Sequence, residues 1–130
     1  KETTFGTTIH HIDTGVDSGD VICEKRFEIP SDIWVEDLLS ITVRYSVDMF
    51  QSFLPSLIAG NYHALSQQEL KKSRNSGYYK RSDIDKVKEL NAYWEGDKLN
   101  RHMRALSMPG FSGPYFLING KKLVVCQDES

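Results

Sequence analysis

The segment from Thr7 to Ile22 constrains the fold of this chain more than any other part of the sequence. Two strand-like stretches flank a loop that holds three aspartates and two glycines, which are Asp13, Asp17, Asp20, Gly15 and Gly19. A tight hairpin turn needs only one or two residues with permissive backbones. Glycines let the main chain approach a ligand closely, and carboxylates supply hydrogen-bond acceptors. The segment therefore predicts a ligand site between two strands.

Composition limits the class of protein. The 130 residues are 39% hydrophobic, which suits one domain or part of one. The net charge of -2 provides no general field for polyanions, so we expect no nucleic-acid partner. Cys23 and Cys126 match neither a metal site nor a disulfide framework, and no apolar run or leader pattern indicates a membrane partner or export. These features predict a reduced, cytoplasmic protein, and the strand pattern so near Lys1 is typical of a fragment.

The first elements are a strand pair and a helix start. Alternating apolar residues predict strands over 7–12 and 21–29, the second of them half exposed. Pro30 ends the second strand, and either Ser31 or Asp32 is a candidate N-cap for the helix that follows. This order predicts a hairpin joined directly to a helix.

That helix is long and amphipathic. Gly60 is expected to end it, and Pro55 predicts a kink or a fresh start near Phe53. Its apolar residues keep helical spacing and predict a buried stripe, formed by Val35, Leu39, Val43, Val47, Phe50, Leu54 and Ile58.

The second half of the sequence has weaker patterns and one strong one. Residues 61–83 are polar without a sustained period and predict a loop, and 96–107 predict a helix that starts near Asp97. The predicted buried face of this helix is Leu99, Met103 and Leu106. Asn119 and Gly120 between two apolar stretches predict a β-hairpin.

The residues from Thr8 to Ile22 also carry a family resemblance. Their order, T-x-H-x-x-D-x-G-x-D-x-G-D-x-I, resembles the signature in the second half of the folate-dependent formyltransferase catalytic domain. That family comprises methionyl-tRNA, glycinamide ribonucleotide and nucleotide-sugar N-formyltransferases. Further segments follow in the family's order, namely Tyr78-Tyr79-Lys80-Arg81, Arg104-Ala105-Leu106, Pro109-Gly110-Phe111 and Gly113-Pro114-Tyr115-Phe116.

The resemblance implies a donor and a catalytic acid. The donor of the family is N10-formyltetrahydrofolate, and the first acid of its D-x-G motif, here Asp17, is catalytic. An amine that attacks a formyl carbon must lose a proton, which gives such a carboxylate the task of a base or an orienting group. The family's catalytic asparagine and histidine lie upstream, beside an H-x-S-x-L-P motif that does not occur in this sequence. The resemblance therefore implies a C-terminal fragment that is inactive alone.

The same resemblance implies which residues contact the donor, and the chemistry of the side chains indicates which contact the acceptor. His10 aligns with a histidine of the motif, and the backbone at Asp13, Thr14, Gly15 and Val16 resembles the loop that binds the pterin ring. The aromatic and basic residues late in the chain are similar to those of nucleotide-sugar enzymes, which act in polysaccharide biosynthesis. Their nucleoside diphosphate, often deoxythymidine diphosphate, would be bound by Tyr79, Lys80, Arg81, Phe111 and Tyr115.

Other interpretations remain open from the residues alone. The acceptor could be methionyl-tRNA or glycinamide ribonucleotide, and Asp17 could be only a loop acceptor. A calcium loop starting at Asp13 would have Gly15 at its third position and Ser18 at its sixth, so we expect no metal. A non-catalytic binding or dimerisation module would use exposed aromatics for its interface, which are Tyr93, Trp94, Tyr115 and Phe116.

The expected fold class is α/β. Residues 1–65 would form the C-terminal half of the catalytic domain, the end of an open Rossmann-like sheet with its long covering helix. Residues 66–130 would form a small α+β extension that ends in a β-hairpin. A subunit interface is compatible with this enzyme interpretation, so a homodimer is a further expectation.

Overall fold

The computed structural model describes residues 2–74, 77 and 79–126. The chain forms two compact units, the first made of residues 1–29 and 40–77 and the second of residues 30–39 and 78–130.

The first unit is built on an antiparallel hairpin. Strands β1 (Thr4–His10) and β2 (Val21–Glu28) pair in a register that places Phe5 opposite Phe27. Phe27 is buried because Phe5 packs against its edge and the Tyr45 ring stacks on its face, with ring centroids 4.4 Å apart. The predicted strand pair is therefore confirmed, and helix α1 covers one face of it.

Helix α1 spans Val35–Ile58, and it differs from expectation at its start and at its proline. The helix is continuous through Pro55, so the predicted fresh start is wrong. The helix begins at Val35, after the two predicted N-cap residues Ser31 and Asp32. Asp32 instead forms an ion pair with Arg104 at 3.1 Å. Gly60 follows the helix with a φ of 66°, a left-handed conformation that suits glycine after a C-terminus.

The predicted buried stripe of α1 is wrong. Its members Val43, Val47 and Phe50 are about half exposed, whereas Met49 is only 5% exposed. The hairpin covers the other face of the helix, where the Ser46 hydroxyl meets the Thr7 hydroxyl at 2.8 Å. The full set of exposed apolar residues in the stripe is Leu39, Val43, Val47, Phe50 and Ile58.

A second helix lies where the sequence indicated a loop. Helix α2 spans Gln67–Ser73, and its N-cap Ser66 accepts a hydrogen bond from the Gln68 amide at 3.1 Å. Just before it, Leu65 pairs with Val21 in an isolated antiparallel bridge. The predicted loop over 61–83 is therefore wrong here, because tertiary contacts support a short helix.

The second unit contains a three-stranded sheet, a 3₁₀ helix and an α-helix, together with the first residues of α1. A 3₁₀ helix over Arg81–Val87, which also overlaps the predicted loop, leads into strand β3 (Glu89–Leu90). Strand β4 (Tyr115–Ile118) pairs parallel with β3 and antiparallel with β5 (Lys121–Val124).

Two local predictions are confirmed in this unit. Helix α3 spans Gly96–Leu106 with Asp97 in its first turn, although its apolar face is only half-buried. Asn119 and Gly120 have φ values of 50° and 75°, the pair of left-handed residues that a tight hairpin needs. Leu90 is the buried residue of the short parallel pair, at 4% exposure.

The expected α/β class is confirmed. Within the described residues, the pairing of β3 with β4 is parallel, whereas the two hairpins are antiparallel. The domain boundary between residues 65 and 66 stays a prediction. No helix in the described parts of the chain is long and apolar enough to cross a membrane.

Candidate functional site

The loop between β1 and β2 is closed by its own backbone. The His11 amide donates to the Asp20 carbonyl at 2.9 Å, and Gly19 is buried beneath this closure. A Cβ on Gly19 would lie 2.5 Å from the His11 carbonyl carbon, and one on Gly15 would overlap the Ser18 hydroxyl. The glycines thus allow the loop to approach itself closely.

Asp13 holds the inside of this loop. Its Oδ1 accepts from the Ser18 hydroxyl at 2.5 Å and from the Gly15 amide at 2.9 Å. The Ser18 hydrogen bond, followed by that of the Gly15 amide, lowers the pKa of the Asp13 carboxyl below its usual value. Asp13 therefore stabilises the loop's conformation through at least one of its carboxylate oxygens.

Asp17 presents its carboxylate outward from the same loop. Its side chain is 86% exposed, and its backbone has a φ of 50°, which is uncommon for a residue other than glycine. His10 Nε2 lies 3.6 Å from Asp17 Oδ1. This distance is too long for a hydrogen bond but close enough for a charge interaction.

His10 is oriented by its neighbour. Its Nδ1 lies 2.9 Å from the His11 carbonyl oxygen, which can only accept, so Nδ1 carries a proton. In neutral His10 the Nε2 lone pair then faces the Asp17 carboxylate. The two groups attract each other through charge only when the His10 ring is protonated. The sequence motif thus brings an imidazole within charge-interaction distance of a carboxylate.

The other residues expected to contact the donor lie on the outer part of the loop. Thr14, Gly15 and Val16 are exposed, Val16 at 83%. The Gly15 amide already donates to Asp13 Oδ1. Within residues 2–74, 77 and 79–126, no group of three or more His, Cys, Asp or Glu is placed to hold a metal ion.

Two contacts from distant residues were not found by sequence reasoning. The Gln67 amide nitrogen donates to the carbonyls of Asp17 and Gly19, each at 3.2 Å. At the other end of α2, Arg74 forms an ion pair with Glu24 on β2. The capping-box pattern Ser66-Gln-Gln-Glu69 was the sequence signal that could have located this helix.

The residues expected to bind the acceptor lie in the second unit. Tyr79 is 83% exposed. The Lys80 amide donates to Asp83 Oδ2 at 2.8 Å at the start of the 3₁₀ helix. Arg81 is the first residue of this helix, which fixes its position. Tyr78, the first residue of that motif, lies outside the described residues.

The two aromatic candidates of this unit differ in exposure. Phe111 is 61% exposed and follows a turn closed by its amide and the Met108 carbonyl at 3.1 Å. Tyr115 is half-buried at the start of β4, and Lys122 Nζ lies 4.3 Å from the centre of its ring. One face of Tyr115 is thus already next to a cation.

Lys88 connects these segments, and sequence reasoning missed it. Its side chain is only 12% exposed, and its Nζ donates to Asp85 Oδ1 at 2.8 Å and to the Ser112 hydroxyl at 2.9 Å. The Lys88 hydrogen bond and charge lower the pKa of Asp85, and the charges of Lys122 and Arg81 add to this effect. The Lys88 ammonium is thus paired with an exposed carboxylate, on which the charges of Lys122 and Arg81 also act.

Comparison with known proteins gives matches among solved structures. No protein-family model matches the chain, and no curated protein matches it either. Sugar 3N-formyltransferase WlaRD, solved with dTDP and 5-N-formyl-THF, is 28% identical with a TM-score of 0.74, over 93% of this chain and 42% of its own. The N-formyltransferase of Helicobacter canadensis, solved with folinic acid and dTDP-3-aminofucose, is 25% identical with a TM-score of 0.74. The match covers 93% of this chain and 43% of that protein's chain.

A third match supports the fold alone. The 4-N formyltransferase of Francisella tularensis is 21% identical with a TM-score of 0.76, over 93% of this chain and 49% of its own. The chain thus spans less than half the length of each of these three structures. These matches confirm the resemblance to the formyltransferase family, and to a C-terminal part of it, that was identified from the sequence.

Proposed function

We propose that this chain is the C-terminal part of an N-formyltransferase, which transfers a formyl group from N10-formyltetrahydrofolate to the amine of a nucleotide-linked amino sugar. The observation that carries the proposal is the loop between β1 and β2, which presents the Asp17 carboxylate 3.6 Å from His10 Nε2. Two structures of similar fold support it, a sugar 3N-formyltransferase solved with dTDP and 5-N-formyl-THF and an N-formyltransferase solved with folinic acid and dTDP-3-aminofucose.

The reaction needs a proton path at the attacking amine. The amine nitrogen forms a bond to the formyl carbon, and the carbonyl oxygen takes up the electron pair as an oxyanion. The oxyanion then returns its electrons, the bond from carbon to N10 breaks, and N10 gains a proton while the amine has lost one. Asp17 can accept that proton or orient the water that relays it, with His10 Nε2 lying 3.6 Å from its carboxylate.

The donor would lie against the outer part of the loop. His10 borders it, Thr14 and Val16 are exposed there, and Asp13 and Gly15 fix the loop's shape through their mutual hydrogen bond. A flat heterocycle bound by backbone donors and acceptors fits such an open edge. The asparagine and histidine that the family resemblance implies would complete the site from a part of the protein outside this chain.

The acceptor's nucleotide would bind to the second unit. Lys88 and Lys122 add two cations to the predicted set of Tyr79, Lys80, Arg81, Phe111 and Tyr115. Cations pair with phosphates, and an exposed ring such as Phe111 can stack on a base.

A homodimer is part of the proposal. Tyr93 is 97% exposed, but Trp94 is half-buried between His102 and Lys98, so it contributes less free surface than the sequence suggested. Size-exclusion chromatography with light scattering would measure the mass in solution. A monomer at all concentrations would exclude the dimer and leave the catalytic proposal intact.

The experiment that tests catalysis replaces Asp17 in the protein that contains both halves of the domain. Asp17→Asn should lower turnover about 10²- to 10⁴-fold, because it removes one acid-base group. Asp20→Asn is the matched control, since the main-chain oxygen of Asp20 closes the loop and that substitution preserves it. If Asp17→Asn keeps full turnover, or if residues 1–130 alone turn over the folate donor at the rate of a complete enzyme, the proposal is wrong.

A further inference from the structure

Asp17 adopts a backbone conformation that needs support. A φ of 50° places this residue in the left-handed region, which costs free energy for any residue with a side chain. The side chain is 86% exposed, so its own packing does little to hold it there. Other groups must therefore hold the backbone around Asp17, and Asp13, which accepts from the neighbouring Ser18 hydroxyl, is one of them.

Gln67 supplies further support from 50 residues away. Its amide nitrogen lies 3.2 Å from both the Asp17 and the Gly19 carbonyl oxygens, one on each side of Ser18. Both partners can only accept, and the amide group carries two N–H bonds, so each hydrogen can serve one carbonyl. Gln67 thereby clamps the loop at Asp17, the residue with the left-handed backbone, and at Gly19.

The helix that carries Gln67 is anchored independently. Leu65 pairs with Val21 through hydrogen bonds of 2.8 and 2.9 Å, and Arg74 forms an ion pair with Glu24 at the far end of α2. Ser66 caps the helix through the Gln68 amide. Loss of the Gln67 side chain would therefore leave α2 in place and free only the loop.

We propose that Gln67 is a positioning residue for Asp17, which acts by holding the carbonyls on either side of Ser18 and so fixes the carboxylate against His10. The catalytic consequence rests on the proposed function. The clamp itself does not, because it is a property of the fold.

The first experiment measures the clamp in the 130-residue chain. Gln67→Glu keeps the shape of the side chain but places an acceptor opposite two carbonyls. Hydrogen exchange of the His11 amide, which closes the loop, should become about five- to fifty-fold faster from the loss of two hydrogen bonds. Gln68→Glu is the matched control, because it adds the same charge at an exposed neighbouring position.

Gln67→Leu and Gln68→Leu form a second pair without the added charge. Faster exchange in both Gln67 variants, with both Gln68 variants like the wild type, supports the clamp. If the Gln67 variant and the Gln68 variant of each pair exchange at the same rate, the clamp is overturned. Global unfolding of the Gln68 variants to the same degree as the Gln67 variants overturns it as well.

The second experiment measures turnover in the protein with both halves of the domain. Gln67→Glu should lower kcat about tenfold or more while the KM for the amino-sugar acceptor changes less than twofold, whereas Gln68→Glu changes neither. A loss of the clamp without any loss of kcat overturns the positioning role. If Asp17→Asn is fully active, the proposed function is wrong. Hydrogen exchange measures the clamp independently of turnover, so the two failures can be distinguished.

Discussion

Gly19 gives the sharpest test of how the loop between β1 and β2 is built. In Gly19→Ala the new Cβ would lie 2.5 Å from the His11 carbonyl carbon and 3.2 Å from its Cα. Carbon atoms in contact prefer about 3.5–4.0 Å, so the backbone must move apart at this point. The movement separates the two strand ends that the 2.9 Å bond from the His11 amide to the Asp20 carbonyl holds together.

The expected cost follows from these two effects. Overpacking of a tight site costs about 1–3 kcal/mol, and a lost backbone hydrogen bond adds about 0.5–1.5 kcal/mol. We therefore expect the free energy of unfolding to fall by about 2–4 kcal/mol in Gly19→Ala, measured by urea denaturation of the chain.

A control glycine should behave in the opposite way. A Cβ on Gly96, the first residue of α3, meets nothing within 4 Å, and alanine favours a helix by up to about 1 kcal/mol. Gly96→Ala should leave stability unchanged or raise it. A Gly19→Ala chain as stable as the wild type would refute the assignment of the glycine to self-contact and would favour the ligand interpretation.

Three further outcomes are expected. Ser18 and Gly15 lower the pKa of Asp13 in the folded chain. The ionised carboxylate therefore stabilises the loop fully above the unfolded pKa near 3.8, and this stabilisation is lost as the pH falls through the lower folded pKa. NMR should show the loop opening at that low pH, and Asp13→Asn should abolish this pH dependence. Phe111→Ala should raise the KM for a nucleotide-linked amino sugar and leave that for the folate nearly unchanged, whereas equal changes would contradict the assignment. Gly120→Ala should destabilise the terminal hairpin by about 1 kcal/mol, because φ is 75° there, and unchanged thermal denaturation would contradict this.

Short-range patterns were sufficient for several elements. The alternation in the first strands, the Asn119-Gly120 turn and the start of α3 near Asp97 depend on residues close together in the sequence, and the structure has all three. The structure also places His10 near Asp17, and only six residues separate them in the sequence.

Tertiary structure decided which face of α1 is buried. Apolar residues on this helix cover more than one face, and the periodicity alone favoured the stripe that contains Val43 and Val47. The hairpin instead packs where Tyr45, Ser46 and Met49 lie, because Phe27 stacks on Tyr45 and Thr7 meets the Ser46 hydroxyl. Helical spacing identifies an amphipathic face but carries no information on what will cover it.

The sequence by itself determined the loop's residue types, the turn chemistry and the resemblance to formyltransferases. Only the folded chain showed that Gly19 lies against His11, that Gln67 holds Asp17, and that Lys88 joins Asp85 to Ser112. The Gln67 contact joins residues 50 positions apart, and the Lys88 contact to Ser112 joins residues 24 positions apart. Such contacts depend on how separate elements pack, whereas local propensity acts only over a few neighbouring residues.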